Sequence, residues 1–416
     1  MNTKRWMKWV IVLVLLAALP VMTVALAQGE QPGKQLPAVI GSGESGYPTA
    51  NVNESESNNS FASADVLNVG DVISGKINGP GDADYFKVPV LEWYSAHLLF
   101  NIDAQALGSP LDAYLCVYDP NMAPIDCDDD TDGFDSLVFY TNHYPGNYSY
   151  YVKVTDLGGN GGNAYEYRLS VFAPLFVSAA ASGLGTGTVA GITFKAADIL
   201  AHYDFGDGTE KWLMFLEAAD VGITKNVANI TMHEENEVYM VFQVNQPVMI
   251  DGQSIVLTPY HVGRFRATEL GRNSAGEFFS AWDYRPYGLS TASEKFDALT
   301  LNGSVPMFSS VGTTAAPWLG KAQDEDLFNC CGENWFDGTR VSGLKAEDVI
   351  AAEWEWGEDV FYLTIAGTGR IDGQNFSQKD IFMVDGNTYE LMGRYWNGPE
   401  HHFNYNIDAF EVAFDE

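Results

Sequence analysis

Short runs of apolar or alternating apolar and polar residues, separated by Gly, Asn, Asp and Pro, recur along this chain from Phe61 onward. Clear examples occupy residues 85–88, 113–118, 149–154 and 167–171. Runs of this length between turn residues are typical of β-strands. A helical periodicity sustained over several turns is nearly absent, so the sequence predicts an all-β fold.

Residues 188–416 carry a weak internal repeat with a period of roughly 55–65 residues, as in propellers and other repeat folds. Corresponding strands open at Asp198, Val262, Asp326 and Asp380. The fourth unit lacks a closing strand, and an unmatched strand, residues 188–194, precedes the first unit. We therefore expect residues 188–194 to pair with residues 410–414, closing a propeller-like ring of four short blades without exposed edges. A β-sandwich is the alternative.

The first residues of the chain have the pattern of an export signal. Lys4, Arg5 and Lys8 precede an uncharged, largely apolar stretch, residues 10–27, which ends Ala-Leu-Ala. This pattern predicts a signal peptide over residues 1–27 and a secreted or envelope-associated protein. A retained membrane anchor is the alternative, because the stretch is nearly long enough to span a bilayer.

The segments that follow differ in composition from the predicted folded parts. Residues 28–53 are rich in Gly, Pro, Ser, Gln and Asn, so they are predicted to form a flexible leader. A first folded domain is expected over residues 54–173. Residues 174–187, which end in Ala, Ser and Gly, are predicted to link it to the repeat domain, residues 188–416.

The chain is strongly acidic, with 55 Asp and Glu against 22 Lys and Arg and a net charge of −33. Removal of residues 1–27 takes away three basic groups and no acid, which makes the mature chain still more negative. Such a surface repels nucleic acid and anionic lipid, so neither nucleic acid nor, after cleavage, a membrane is an expected partner. An acidic surface of this kind is suited to binding divalent cations, although the need for solubility explains most of these carboxylates equally well.

Four cysteines are too few to be the main scaffold of 416 residues. Cys116 and Cys127 lie in consecutive strand-like segments around a turn, so a disulfide between them is expected in an oxidising compartment. Cys330 and Cys331 are adjacent. A vicinal disulfide, two free thiols and a metal site are all open interpretations of that pair.

The most specific set of motifs runs from Glu54 to Phe172. It opens Glu-Ser-Glu-Ser-Asn-Asn at residues 54–59 and continues Gly-Asp-Ala-Asp-Tyr-Phe at residues 81–86. This order resembles the bacterial pre-peptidase C-terminal (PPC) family, a small β-sandwich found beside the catalytic domains of many secreted peptidases. It is similar also to the collagen-binding modules of clostridial collagenases. The resemblance implies a jelly-roll type β-sandwich for this segment.

The resemblance also implies a calcium site formed by Glu54, Glu56, Asn58, Asp82 and Asp84. Ca²⁺ takes six to eight oxygen ligands, and alternate residues of an extended segment point to one side. The first three residues have that spacing, and the two aspartates follow in a neighbouring loop. In the collagen-binding relatives, calcium ties the leading segment onto the sandwich. The alternative is a solvated polar linker beside a tight turn.

A second acidic motif, Asp128, Asp130 and Asp132, imitates the start of an EF-hand loop. The twelfth position, which needs Glu, is Phe139, and no flanking helices are evident. A second calcium site and an acidic hairpin loop are therefore both open interpretations, with the loop preferred.

Tryptophans are abundant in the second part of the chain, where blade-core packing explains most of them. Trp318, Trp335 and Trp396 lie in Gly- and Pro-rich stretches predicted as loops, so they are the candidates for ligand binding. No Gly-x-Ser-x-Gly or His-Glu-x-x-His motif is present, and His401 and His402 have no third ligand at a fixed spacing.

These patterns favour an exported, non-catalytic binding or cell-envelope protein, with a calcium-stabilised PPC-like domain followed by a repeat domain. The expected partner is an extracellular polysaccharide or protein. One alternative is a secreted hydrolase with acidic residues in a central channel of the repeat domain. Another is a structural surface-layer component.

Overall fold

The structure is a computed structural model that describes residues 52–90, 97–129, 131, 135–141, 148–180, 185–205, 208–232, 237–302, 305–315, 321–329, 333–355 and 359–413. In these ranges the chain is all-β, without an α-helix. No helix among these residues is long and apolar enough to cross a membrane. The predicted signal peptide and the leader up to residue 51 lie outside the described residues.

Short 3₁₀ helices join some of the strands. They span Phe61–Ser63, Gln105–Leu107, Arg285–Tyr287, Ala292–Glu294, Gly338–Arg340, Leu344–Ala346 and Gly398–His401.

Two five-stranded sheets form the N-terminal part of the described fold. Sheet A has the order β1 (Val52–Asn53), β3 (Val72–Lys76), β10 (Glu166–Phe172), β5 (His97–Asp103), β8 (Leu137–Thr141). Sheet B has the order β2 (Asp65–Val66), β4 (Asp84–Val90), β9 (Tyr148–Asp156), β6 (Ala113–Tyr118), β7 (Pro124–Asp128). The short first strand of each sheet pairs parallel with its neighbour, and the other pairs are antiparallel.

Alternating burial along the strands explains how these two sheets pack. In β4 every second residue, from Asp84 to Val90, is buried, and β9 follows the same period. Phe86 and Tyr150 of sheet B enter one core with Phe100 and Tyr167 of sheet A. The arrangement is consistent with a β-sandwich.

A disulfide fastens the edge of sheet B. Cys116 on β6 and Cys127 on β7 are opposite one another in the antiparallel register, and their sulfur atoms are 2.07 Å apart. Cys330 and Cys331 lie outside the described residues.

Four antiparallel four-stranded sheets form the rest of the fold. Sheet I has the order β15 (Glu210–Leu216), β14 (Ile199–Asp204), β11 (Leu175–Ala179), β32 (Ile407–Val412). Sheet II has β16 (Asn229–Met232), β17 (Glu237–Val241), β20 (His261–Glu269), β21 (Ala275–Asp283). Sheet III has β22 (Phe296–Asn302), β23 (Val305–Ser310), β24 (Leu327–Asn329), β25 (Asn334–Phe336). Sheet IV has β26 (Val349–Glu355), β27 (Val360–Ile365), β30 (Asp380–Asp385), β31 (Leu391–Asn397).

Hairpins accompany these sheets. They are β12 (Gly187–Val189) with β13 (Ile192–Phe194), β18 (Gln246–Ile250) with β19 (Gln253–Leu257), and β28 (Thr368–Ile371) with β29 (Gln374–Ser377). The second and third occupy equivalent places in sheets II and IV and turn at Asp251-Gly252 and Asp372-Gly373. All four turn residues have positive φ, between 44° and 79°. Asp-Gly is the sequence preference of the tight hairpin turn that requires this geometry.

The strand that pairs with the C-terminal strand is not the one predicted from the sequence. β32 pairs with β11, with Leu175 opposite Val412 and Val177 opposite Phe410. Residues 187–189 and 192–194 instead pair with each other, so the predicted contact of residues 188–194 with residues 410–414 is wrong. β11 lies within the segment predicted as a linker. All five of its residues are buried, so they give no alternating signal.

Every one of the four sheets shares a buried apolar core with two others. Sheet I packs with sheet II around Phe215 and Met240, and sheet II packs with sheet III around Val241 and Phe308. Sheets III and IV share a core, and sheet IV also shares one with sheet I. One edge strand from each sheet, β16, β22, β26 and β32, contacts the next in that cyclic order, and β32 contacts β16.

Sheet A packs directly against sheet I. The Phe139 ring of β8 lies 5.8 Å from Phe176 and 5.2 Å from Phe215. Lys211 of β15 donates a hydrogen bond to Asp103 of β5 at 2.6 Å, and both side chains are largely buried. The N-terminal sheets and sheet I therefore share a continuous core.

Candidate metal sites

Three carboxyl groups predicted as calcium ligands converge at one end of the N-terminal sheets. The oxygens of Glu54, Glu56 and Asp84 lie within 4.8 Å of one another. Glu54 and Glu56 follow β1, where the backbone N–H of Glu54 donates to Ser74 of β3 at 3.0 Å. Asp84 is the first residue of β4. The cluster thus joins the leading segment, sheet A and sheet B.

A buried tyrosine organises two of these carboxyl groups. The Tyr167 hydroxyl lies 2.6 Å from Asp84 and 3.1 Å from Glu54, and the Glu54 carboxylate also accepts from the backbone N–H of Lys76 at 2.7 Å. Burial raises the pKa of Asp84 to about 9, and the neighbouring Glu54 carboxylate adds to this rise. Burial also raises the pKa of Glu54. Two full negative charges on Glu54 and Asp84 are therefore disfavoured without a compensating positive charge.

Two fully buried oxygens at this end of the fold lack hydrogen-bond donors among the described residues: Asn58 Oδ1 and Asp84 Oδ1. The Asn58 amide donates from its nitrogen to Asp65 at 3.4 Å. Buried polar atoms without partners are costly, and carboxylate and amide oxygens are the ligands that Ca²⁺ prefers. The residues therefore fit a calcium ion.

Asp82 is near this group but its oxygens are occupied by protein donors. It accepts from the Asn59 side chain and from the backbone N–H of Asn78, both at 2.7 Å. The Asn78 side chain in turn donates to Glu56. Asp82 therefore holds the turn that places Asp84 and positions Glu56 indirectly.

The weaker acidic motif is described only at its first residue. Asp128 accepts from the Thr131 hydroxyl at 2.8 Å and from the Leu137 backbone N–H at 2.9 Å. Asp130 and Asp132 lie outside the described residues. The Asp128 carboxylate therefore organises its own loop, in keeping with the acidic-hairpin interpretation.

Two of the three candidate tryptophans lie on strands rather than in loops. Trp335 lies in β25, half-buried, with its ring 5.5 Å from Trp354. Trp396 lies in β31, is 5% exposed and lines a cavity of about 350 Å³. The expected loop positions were wrong for these two, because nearby Gly and Pro residues mark the ends of the strands. Trp318 lies outside the described residues.

A second group of potential ligands, not identified from the sequence, lies at this cavity. His202 Nε2 is 3.1 Å and His401 Nδ1 is 3.3 Å from the same oxygen of Glu210, Oε2. His202 and Glu210 are diagonal neighbours across the β14–β15 pair, whereas His401 follows β31 of sheet IV. The positions of these residues in the sequence do not indicate that they form a group, because His401 lies 191 residues away from Glu210.

A pair of buried carboxyl groups lies where the edge strands of the four sheets meet. Glu411 of β32 accepts from the backbone N–H of Met232 at 3.1 Å and lies 3.2 Å from His97 Nε2. Glu353 of β26 accepts from the Thr300 hydroxyl at 2.9 Å. Burial raises the pKa of Glu411 to about 7 and that of Glu353 well above its ordinary value, and burial lowers the pKa of His97 to about 4. The pair therefore retains a proton at neutral pH beside a neutral imidazole.

No protein-family model matches the sequence, and no curated protein matches it. Among solved structures, the chain is similar to the pre-peptidase C-terminal domain of collagenase from Bacillus anthracis, with 16% identity, over 26% of this chain and 93% of that one, at a TM-score of 0.21. It is also similar to a glycoside hydrolase of family 32 from Bifidobacterium adolescentis, with 8% identity, over 74% of this chain and 39% of that one, at a TM-score of 0.12. The chain thus has a weak PPC-like similarity in one segment.

Proposed function

We propose that this chain is an exported, non-catalytic binding protein whose N-terminal sheets are stabilised by a calcium ion. The observation that carries the calcium proposal is the convergence of Glu54, Glu56 and Asp84, together with buried oxygens of Asn58 and Asp84 that accept no hydrogen bond from a described residue. A divalent cation would compensate the negative charge of these carboxylates.

Glu54, Glu56, Asn58 and Asp84 would hold the ion. The carboxylates come from the leading segment and from β4 of sheet B, while β1 pairs with β3 of sheet A. An ion here would tie the leading segment to both sheets, next to the two-residue parallel pairing of β1 with β3. Its role would therefore be structural, fixing the direction in which the leading segment leaves the fold. Asp82 would support the site as a positioning residue.

We propose further that sheets I to IV are the blades of a four-bladed propeller. A sheet in a two-layer sandwich shares its core with one partner, whereas a propeller blade packs against a neighbour on each face. The cyclic sharing of cores among the four sheets supports the second arrangement. Sheet I, which combines β32 with β11, β14 and β15, would close the ring.

An extracellular polysaccharide or protein is the proposed partner of these sheets. The cavity beside Trp396 supports this choice, because aromatic side chains there adjoin polar ones. The hydrolase alternative has less support, since Glu353 and Glu411 are only 5% and 2% exposed. A glycan array, run beside a general hydrolase panel, separates the two functions.

The calcium proposal is tested by thermal unfolding of the full chain. Calcium at a hundredfold excess over Kd should stabilise the native state by about 2.7 kcal/mol, and chelation should remove this gain. A Glu56→Gln, Asp84→Asn double variant should melt at one temperature with or without calcium.

Glu166→Gln, at an exposed acid of β10, is the matched control and should keep the calcium response. A wild-type melting temperature that does not respond to calcium or chelator would refute the proposal.

A further inference from the structure

We propose that His202, Glu210 and His401 form a binding site for zinc or a similar divalent transition metal. This site is separate from the acidic cluster of Glu54, Glu56 and Asp84 and has a different chemical preference. Calcium takes oxygen ligands almost exclusively, whereas two imidazoles and one carboxylate form a frequent protein ligand set for zinc.

The spacing of the donor atoms matches this ligand set. His202 Nε2 and His401 Nδ1 lie 3.1 Å and 3.3 Å from Glu210 Oε2. A tetrahedral ion with bonds of about 2.0–2.1 Å separates adjacent ligand atoms by about 3.4 Å. Both separations from Glu210 Oε2 are therefore already close to the value that a bound ion would impose, and ligand atoms of all three residues lie within 4.8 Å of one another.

Burial provides a second, independent observation. Glu210 Oε1 is buried and accepts no hydrogen bond from any described residue, although Oε2 faces two imidazoles. The indole Nε1 atoms of Trp212 and Trp396, whose rings pack on His202 and His401, also lack acceptors in the described part of the chain. The site thus has buried polar atoms whose hydrogen-bonding capacity the described residues do not use.

Space for a fourth ligand is available. His202, Trp396 and His401 line the cavity of about 350 Å³, which can admit water or a polar group of a bound molecule. His402 Nε2 lies 3.7 Å from Glu210 Oε1, and its side chain is 71% exposed, so it is a further donor at the rim. An ion with three protein ligands and one exchangeable position fits this environment.

The three ligands come from two different sheets, so metal binding would affect how these sheets are held together. His202 and Glu210 belong to sheet I, whereas His401 lies in the short helix that follows β31 of sheet IV. A metal ion would therefore bridge sheet I and sheet IV. Its binding should strengthen the contact that joins the last part of the chain to sheet I.

Zinc titration of the full chain, with calcium in excess to fill the oxygen site, tests the proposal. Calorimetry should detect one high-affinity equivalent in the wild type, weakened by more than about tenfold in His401→Gln and in Glu210→Gln. His261→Gln, which alters a histidine of sheet II beside Asp283, is the control and should bind as the wild type does.

Cobalt substitution distinguishes a metal ion bound at this site from one bound by scattered surface carboxylates. The wild type should give the intense visible absorption of four-coordinate Co²⁺ with nitrogen ligands, and His401→Gln should lose it. His401 is a partly exposed ligand, so its variant should fold, and circular dichroism checks this. A wild type that binds no zinc, or a cobalt spectrum unchanged by both variants, would overturn the proposal.

Discussion

At the residue scale, the acidic cluster depends on a glycine that makes room for Tyr167. A methyl group added at Gly75 of β3 would lie 2.3 Å from the Tyr167 ring, closer than atoms approach without displacement. The same ring carries the hydroxyl that lies between Asp84 and Glu54. The position of two proposed calcium ligands is therefore linked to the absence of a side chain on the neighbouring strand.

We expect Gly75→Ala to destabilise the fold by about 1–3 kcal/mol, because it overpacks a filled space. It should also weaken calcium binding, since Tyr167 must move. Denaturant unfolding and calcium titration measure the two effects.

Gly79→Ala is the matched control, because a methyl group at Gly79 would meet no atom within 4 Å. Equal stability and equal calcium affinity of the two variants would contradict this account.

At the element scale, β11 is the strand on which the closure of sheet I depends. It lies between β14 and β32, and Val177 at its centre is fully buried opposite Leu200 and Phe410. Within the described ranges, β12 and β13, which the sequence favoured as the closing strand, pair only with each other. The two possibilities make different predictions for substitutions in these segments.

We expect Val177→Ala to destabilise the chain by about 2 kcal/mol, because it removes buried methyl groups and leaves a cavity. Hydrogen exchange should show the loss of protection in residues 407–412. Thr193→Asp, at an exposed position of β13, should leave those residues protected. The reverse result would restore residues 188–194 as the closing strand.

These two scales show what the sequence can predict. The period of two in β4 and β9 is visible because each strand buries one face. The Asp-Gly turns of the hairpins that accompany sheets II and IV can be recognised in the sequence, because these tight turns require residues that adopt positive φ. β11 was missed because a strand covered on both faces has no alternation. His202, Glu210 and His401 could not be grouped, because only the packing of sheet I against sheet IV brings them together.

At the scale of the whole molecule, buried carboxyl groups connect stability to pH. Burial raises the pKa of Glu325, Asp348 and Glu411 to about 7, and that of Asp297 and Glu353 well above the ordinary value. A carboxyl group whose pKa is higher in the folded state stabilises the fold while it holds its proton. That contribution declines as the pH rises towards the folded-state pKa.

We therefore expect the free energy of unfolding, measured in constant calcium, to fall as the pH rises from 6.5 to 8. Below this window the free energy of unfolding should also fall with rising pH, because the groups with a folded-state pKa of about 7 keep their protons there only in the folded chain. His97, whose pKa burial lowers to about 4, offsets part of this slope. Glu353→Gln should flatten the slope by up to about 1.4 kcal/mol per pH unit. Glu166→Gln should leave the slope unchanged, and a stability that rises with pH across the window would show this assignment to be wrong.

The pairing of β32 with β11 has a consequence for the order in which the molecule forms. β32 is the last strand along the described chain, yet it completes the first of the four sheets and brings Glu411 to His97, 314 residues earlier. Until the ribosome has delivered that strand, β11 presents an open edge to the solvent. Contacts between such distant segments form slowly, because much chain must be brought together first. A partly synthesised chain should therefore need protection from self-association until its final strand arrives.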